Sequence, residues 1–217
     1  MKRVLIAGGL GYIGRALVSD FNAAGWQVDI IDPDYFDTFN SIGGLQIQCN
    51  LNINSLEDIP IMGEYDLTIV CCYEPQYLKL ISAQKFSHIF SRLSNIKNCV
   101  FISEWSNYLF EKDSRGIKLE NCVLDNDGTV LRIGEVCGSN VRTRFDNIVN
   151  SCLFNLIYNK NYFCQDNGCR WLPLTGVHQI GQRLLGMEKH PAPTVELYCN
   201  GIYRVTVIGV AAPAYPP

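Results

Sequence analysis

Gly8, Gly11 and Gly14, spaced three residues apart, constrain this chain more than anything else in it. They fall in the stretch 2–14, KRVLIAGGLGYIG, behind the apolar run Val4, Leu5, Ile6 and Ala7. Such a run, flanked by Lys2 and Arg3 and stopped by glycine, reads as a strand buried on both faces of a parallel sheet. Helical spacing follows at once in Ile13, Leu17, Val18 and Phe21. Each glycine has its own task. Gly8 permits a sharp strand-to-helix turn, Gly11 lets a diphosphate reach the backbone, and Gly14 lets the helix pack close to the strand. The helix start at Tyr12 and Ile13 offers N–H groups and a positive dipole end to that anion.

A second apolar run, 28–31, ends at Asp32, about 20 residues after the loop, where an acid accepts hydrogen bonds from a ribose diol. A carboxylate there repels the 2′-phosphate of NADP, so the expected cofactor is NAD. The alternative is a structural turn beside a solvated aspartate. Further strands are expected over 45–49, 66–72, 99–102 and 129–133, with a helix over 76–95. Asn50 follows the third strand within reach of an adenine edge, and Cys71, Cys72 and Tyr73 lie at the carboxyl end of the fourth, beside the cofactor. The fifth strand runs into Ser103 and Glu104.

Alternating strands and helices predict an α/β fold: a Rossmann-like, doubly wound parallel sheet over 1–138. Beyond Gly138 the texture changes to helices over 142–158 and 177–187 and a strand near 195–199. These read as a small α/β substrate lobe, 139–210, interleaved with the main domain and followed by a frayed tail, 211–217.

Hydrophobic residues make up 47% of the 217 and charged ones 18%, which suits a well-buried core. A net charge of -3 gives no basic field, so neither nucleic acid nor an anionic membrane is an expected partner. No run is long enough to span a bilayer, and a first strand starting at residue 2 leaves no room for a signal peptide. A cytoplasmic protein is expected. Ten cysteines include no C-x-x-C pair; free thiols are the default, and Cys164, Cys169 and His178 fit no zinc spacing, so no metal is expected.

The chain resembles the extended short-chain dehydrogenase/reductase superfamily, in its NAD-dependent epimerase/dehydratase branch acting on nucleotide sugars. Residues 7–14 are similar to that family's G-x-x-G-x-x-G loop, Asp32 matches its NAD-selecting acid, and Asn50-Leu51 stands where it contacts adenine. Residues 131–138, LRIGEVCG, resemble its L-R-x-x-x-V-Y-G segment. The stretch from Arg144 to Asn150 resembles the helix bordering the sugar-nucleotide pocket, and Arg170 the arginine that grips the diphosphate. The resemblance implies a nucleotide-sugar substrate and a homodimer formed by the helices flanking the fifth strand.

It also implies a tyrosine and a lysine four residues on, the lysine lowering the tyrosine's pKa, with a serine or threonine nearby. Two registrations exist. Tyr108 and Lys112 have the spacing, with Ser103 just ahead. Alternatively, Ser114 through Lys118 to Glu120 resembles the family's Y-x-x-x-K-x-x-x-E helix start, with serine in the tyrosine's place; the usual serine then falls on Ser103 or Glu104. Glu104 is a base if desolvated, or a surface carboxylate if not. The readings are therefore an NAD-dependent oxidoreductase, epimerase or dehydratase; a catalytically impaired NAD- or sugar-nucleotide-binding pseudoenzyme; or a reductase of another small carbonyl compound.

Overall fold

The computed structural model describes residues 1–32, 46–50, 65–71, 98–105, 115–158, 171–187 and 193–204. The helix expected over 76–95, with its dimer face, lies outside them, as does the tail. The described elements are β1 (Arg3–Ala7), α1 (Tyr12–Ala23), β2 (Gln27–Asp32), β3 (Gln46–Asn50), β4 (Leu67–Val70), β5 (Cys99–Glu104), α2 (Arg115–Leu124), β6 (Thr129–Ile133), β7 (Glu135–Cys137), α3 (Ile148–Ile157), β8 (Trp171–Gly176), α4 (Val177–Leu185), β9 (Thr194–Tyr198) and β10 (Gly201–Arg204).

Seven strands form one sheet in the order β3-β2-β1-β4-β5-β6-β9. Every pairing in it is parallel. This is the doubly wound fold expected from the sequence. The order reverses between β1 and β4, the switch point beyond whose carboxyl strand ends sheets of this kind bind ligands. Alternate residues of each inner strand enter opposite faces, and both faces are buried: Val4 and Ile6 join the core with α1, while Leu5 and Ala7 are only 2% exposed. Leu17, Val18 and Phe21 of α1 pack on that core, as do Ile180 and Leu184 of α4. Side chains of this size each contribute roughly 1.5–3 kcal/mol on leaving water.

The chain after Gly138 divides its residues between two sheets. β9, expected in the lobe, is the seventh strand of the main sheet beside β6. α4 is held to it by Arg183, whose Nε donates to Glu196 Oε1 at 2.6 Å while Nη2 pairs with Oε2. A separate three-stranded sheet, β10-β8-β7, was not anticipated. A single residue, Gly134, separates β6 from β7, and its N–H bonds to Thr175 Oγ1 at 2.9 Å and to the Tyr198 carbonyl at 3.1 Å. The helix expected over 142–158 begins only at Ile148, because Asn147 stops it from extending backward: its side chain accepts the Asn150 N–H at 2.8 Å as an N-cap. No helix among the described residues is long and apolar enough to cross a membrane.

Candidate active site

The glycine loop leaves β1 through Gly8, whose φ of +87° is the left-handed conformation that glycine adopts freely. Gly8 N–H is held by the Ile31 carbonyl at 2.8 Å, which fixes the loop against β2. A Cβ on Gly14 would lie 2.0 Å from the Gly8 carbonyl oxygen, so α1 approaches the turn as closely as backbone allows. Gly11 differs. It is the N-cap of α1, extended at φ −74°, and provides no side-chain cap. A Cβ there would meet nothing nearer than the Gly8 oxygen at 3.5 Å, an ordinary contact. Among the described residues, nothing in the packing requires glycine at this position.

Asp32 ends β2 with 8% exposure, and its Oδ2 accepts the Leu10 N–H at 2.9 Å. The carboxylate therefore braces the glycine loop from β2 and stands beside it. Cys71, just past β4, closes the other side: its thiol donates to the Ala7 and Gly8 carbonyls at 3.2 and 3.4 Å. Loop, acid and Cys71 thus meet at the sheet's topological switch point. Asn50 is described only as the last residue of β3, paired with Asp32. Leu51, Cys72, Tyr73, Tyr108, Lys112, Ser114 and Arg170 lie outside the described residues.

Tyr12 and Asn150, expected to serve cofactor and substrate respectively, are bonded to each other. The Asn150 Nδ2 donates to the Tyr12 hydroxyl at 3.2 Å, and that hydroxyl donates to the Gly138 carbonyl at 2.7 Å. Burial pushes the Tyr12 pKa up, with the Asn150 bond acting against it. Arg144 pairs with Asp146 two residues on, Nε to Oδ1 at 2.9 Å, which holds the Asp146 carboxyl below its ordinary value.

The β5–α2–β6 region departs from expectation. Ser103 and Arg132 are register partners on adjacent strands, and both reach Glu120 of α2. The Ser103 hydroxyl, 1% exposed, donates to Glu120 Oε1 at 2.6 Å; Arg132 grips both carboxylate oxygens, with Nε 3.1 Å from each. Ser103 thus faces α2, inside the fold, rather than open crevice. Lys118 is exposed, whereas Gly116, Leu119, Glu120 and Val123 form the buried face of α2. Residues two apart on a helix point in opposing directions, and residues four apart share a face. Lys118 therefore lies on the side of α2 away from Glu120. The residue four before Glu120 is Gly116, not a lysine.

Sequence reasoning missed Glu135. It stands at the start of β7, just past the tip of β6, and its carboxyl is raised by burial and by the neighbouring Glu104 charge, against a backbone hydrogen bond from Ile148. Its position past a strand's carboxyl end was the available signal. Glu104 itself is half-buried at the end of β5. Among the described residues, no three His, Cys, Asp or Glu side chains gather as a metal site.

Comparison with solved structures gives consistent neighbours. A UDP-glucose 4-epimerase from Thermotoga maritima, with UDP-glucose, superposes with a TM-score of 0.72 at 16% identity, covering 91% of this chain and 76% of that one. A dTDP-glucose 4,6-dehydratase from Bacillus anthracis, in complex with NAD, gives 0.71 at 12%, covering 94% and 77%. The fold is that of the extended short-chain dehydrogenase/reductases. A human epimerase family protein with NADPH shares this reductase fold at a TM-score of 0.62 and 15% identity, over 91% of this chain and 74% of that one. No family model matches the chain, and no curated protein matches it by sequence. What the dehydrogenase/reductase fold shares with this chain is architecture.

Proposed function

We propose that the chain binds NAD across the β1–α1 turn and acts on a nucleotide-linked sugar as an oxidoreductase, epimerase or dehydratase. The observation that carries the proposal is Gly11. Its backbone is accessible to any residue and its surroundings hold room for a Cβ, so its glycine is explained by something outside the chain approaching the main chain. The first-turn amides, uncapped by a side chain at Gly11, suit a diphosphate. Asp32, at the end of β2 beside the turn, supports this reading, because a carboxylate there suits a ribose diol and disfavours a 2′-phosphate. NAD supplies a hydride acceptor when bound; the chain's own residues hold and orient it. Neighbours of the same fold carry NAD or UDP-glucose, which supports both ligand classes.

The test is Gly11→Ala with thermal unfolding and NAD titration side by side. The expected result is an unchanged melting temperature with NAD affinity lowered at least about tenfold, the cost of one misplaced contact in a tight backbone approach. Unchanged affinity would remove the assignment.

A second reading is favoured by a specific observation. The Ser103 hydroxyl is engaged by the buried Glu120 carboxylate, which favours a reading in which the proton relay is impaired. On this reading the chain holds NAD without turnover, as a sensor or regulator. Incubation with NAD and UDP-, GDP- and dTDP-sugars separates the two: product or NADH formation supports the enzyme, and saturable binding with neither supports the sensor.

A further inference from the structure

Tyr12 follows Gly11 directly, so it is part of the turn assigned above to NAD, and its side chain leads away into the segment 138–150. Its hydroxyl donates to the Gly138 carbonyl at 2.7 Å and accepts from Asn150 Nδ2 at 3.2 Å. Its own carbonyl accepts from Asn140 Nδ2 at 2.8 Å. The amide of Asn150 is used in full by the chain. Its Oδ1 accepts the Gly138 N–H at 3.1 Å, and its Nδ2 donates also to the Arg144 carbonyl at 2.8 Å. Tyr12 and Asn150 are 6% and 5% exposed, so neither presents a surface to a ligand. Gly138 is held at φ +127°, a conformation open to glycine, which fixes how the segment departs from β7. The Tyr12 ring packs with Ala16 of α1 and Val177 of α4 in a small cluster that Val136 also joins.

We infer that Tyr12 and Asn150 are positioning residues that tie the Arg144-bearing segment to the diphosphate turn, so that occupancy of one is felt at the other. The inference rests on the NAD reading proposed above. Neither side chain touches ligand. Moving the first turn of α1 displaces the Tyr12 hydroxyl and carbonyl together, and the Gly138 carbonyl and the Asn140 and Asn150 side chains must follow or leave buried polar groups unmatched, which is costly. Coupling between two binding events is reciprocal, so a ligand ordered by Arg144 tightens NAD binding by the same factor that NAD tightens its own.

The experiment is amide hydrogen exchange on the full chain with and without NAD, for wild type and for Tyr12→Phe. Wild type is expected to show slowed exchange both in the glycine turn and across 138–151, by at least about fivefold at the second site, the low end of ordinary coupling. Tyr12→Phe keeps the ring packing, so slowing in the glycine turn persists while slowing across 138–151 is lost. Persistence of that slowing in Tyr12→Phe overturns the inference. So does its absence in wild type when the glycine turn itself responds, a result that needs no variant to fold. No response at the glycine turn in wild type overturns the NAD reading instead, and the inference with it. Asn150→Leu, which breaks the same link from the other end, is expected to reproduce the Tyr12→Phe pattern.

Discussion

At the carboxyl edge of the main sheet, the β1–β2 end and the β5–β6 end treat their polar groups in opposite ways. The first leaves Gly11 without a side-chain cap and braces the turn with one carboxylate, so its main chain is presented outward. The second folds its serine, glutamate and arginine into one buried cluster around Glu120. A proposed ligand site and a structural lock can therefore occupy equivalent places on the same sheet, and residue type alone does not distinguish them. What distinguishes them is whether the side chain's hydrogen bonds are already made within the chain.

The largest effect expected from breaking this contrast is at the locked end. Arg132→Ala removes the guanidinium that grips both oxygens of the Glu120 carboxylate, whose side chain is 2% exposed. Removing one member of a buried pair costs about 3–5 kcal/mol. Urea unfolding should show that loss; a fully stable variant with altered turnover would instead make this end catalytic.

A smaller effect is expected at Glu135, the first residue of β7 in the small sheet. Its carboxyl is raised by burial above the ordinary value of 4.5. The folded chain therefore retains this proton after the unfolded chain has lost it, so its contribution to stability falls as pH rises from that value through the raised one. Glu135→Gln, which keeps an oxygen for the Ile148 N–H, should flatten that part of the profile in thermal unfolding across mildly acidic to neutral pH. Parallel profiles for the two proteins would show that Glu135 is not desolvated.

The smallest effect is expected at Lys118. On the exposed face of α2, Lys118→Ala should change stability by no more than about 0.5 kcal/mol and leave NAD affinity unaltered. A tenfold loss of affinity would return this lysine to the cofactor and erase the contrast between the two ends.

The glycine spacing and Asp32 were legible because their causes are local: a turn, a helix start and a strand end lie within one stretch of chain. The inner strands were legible because burial on both faces leaves a continuous apolar run, as in Val4 to Ala7. The second sheet was not. β7 has three residues, and Pro173 argues against reading Trp171–Gly176 as a strand. The fold accommodates it because β7 pairs only from Leu174 onward, leaving Pro173 opposite Ile202 of β10. The partners of Ser103 and Asn150, Glu120 and Tyr12, were not legible, because residues far away in sequence decide where those hydrogen bonds go.

The return of β9 to the main sheet has a consequence for synthesis. Strands β1 to β6 emerge from the ribosome well before Ile180, Leu184 and Met187, which fill the same hydrophobic core. The nascent sheet must wait with one flank uncovered and its β6 edge bare until residue 198 has been made. The main sheet therefore gains its last strand only after the second sheet's β7 and β8 have been made.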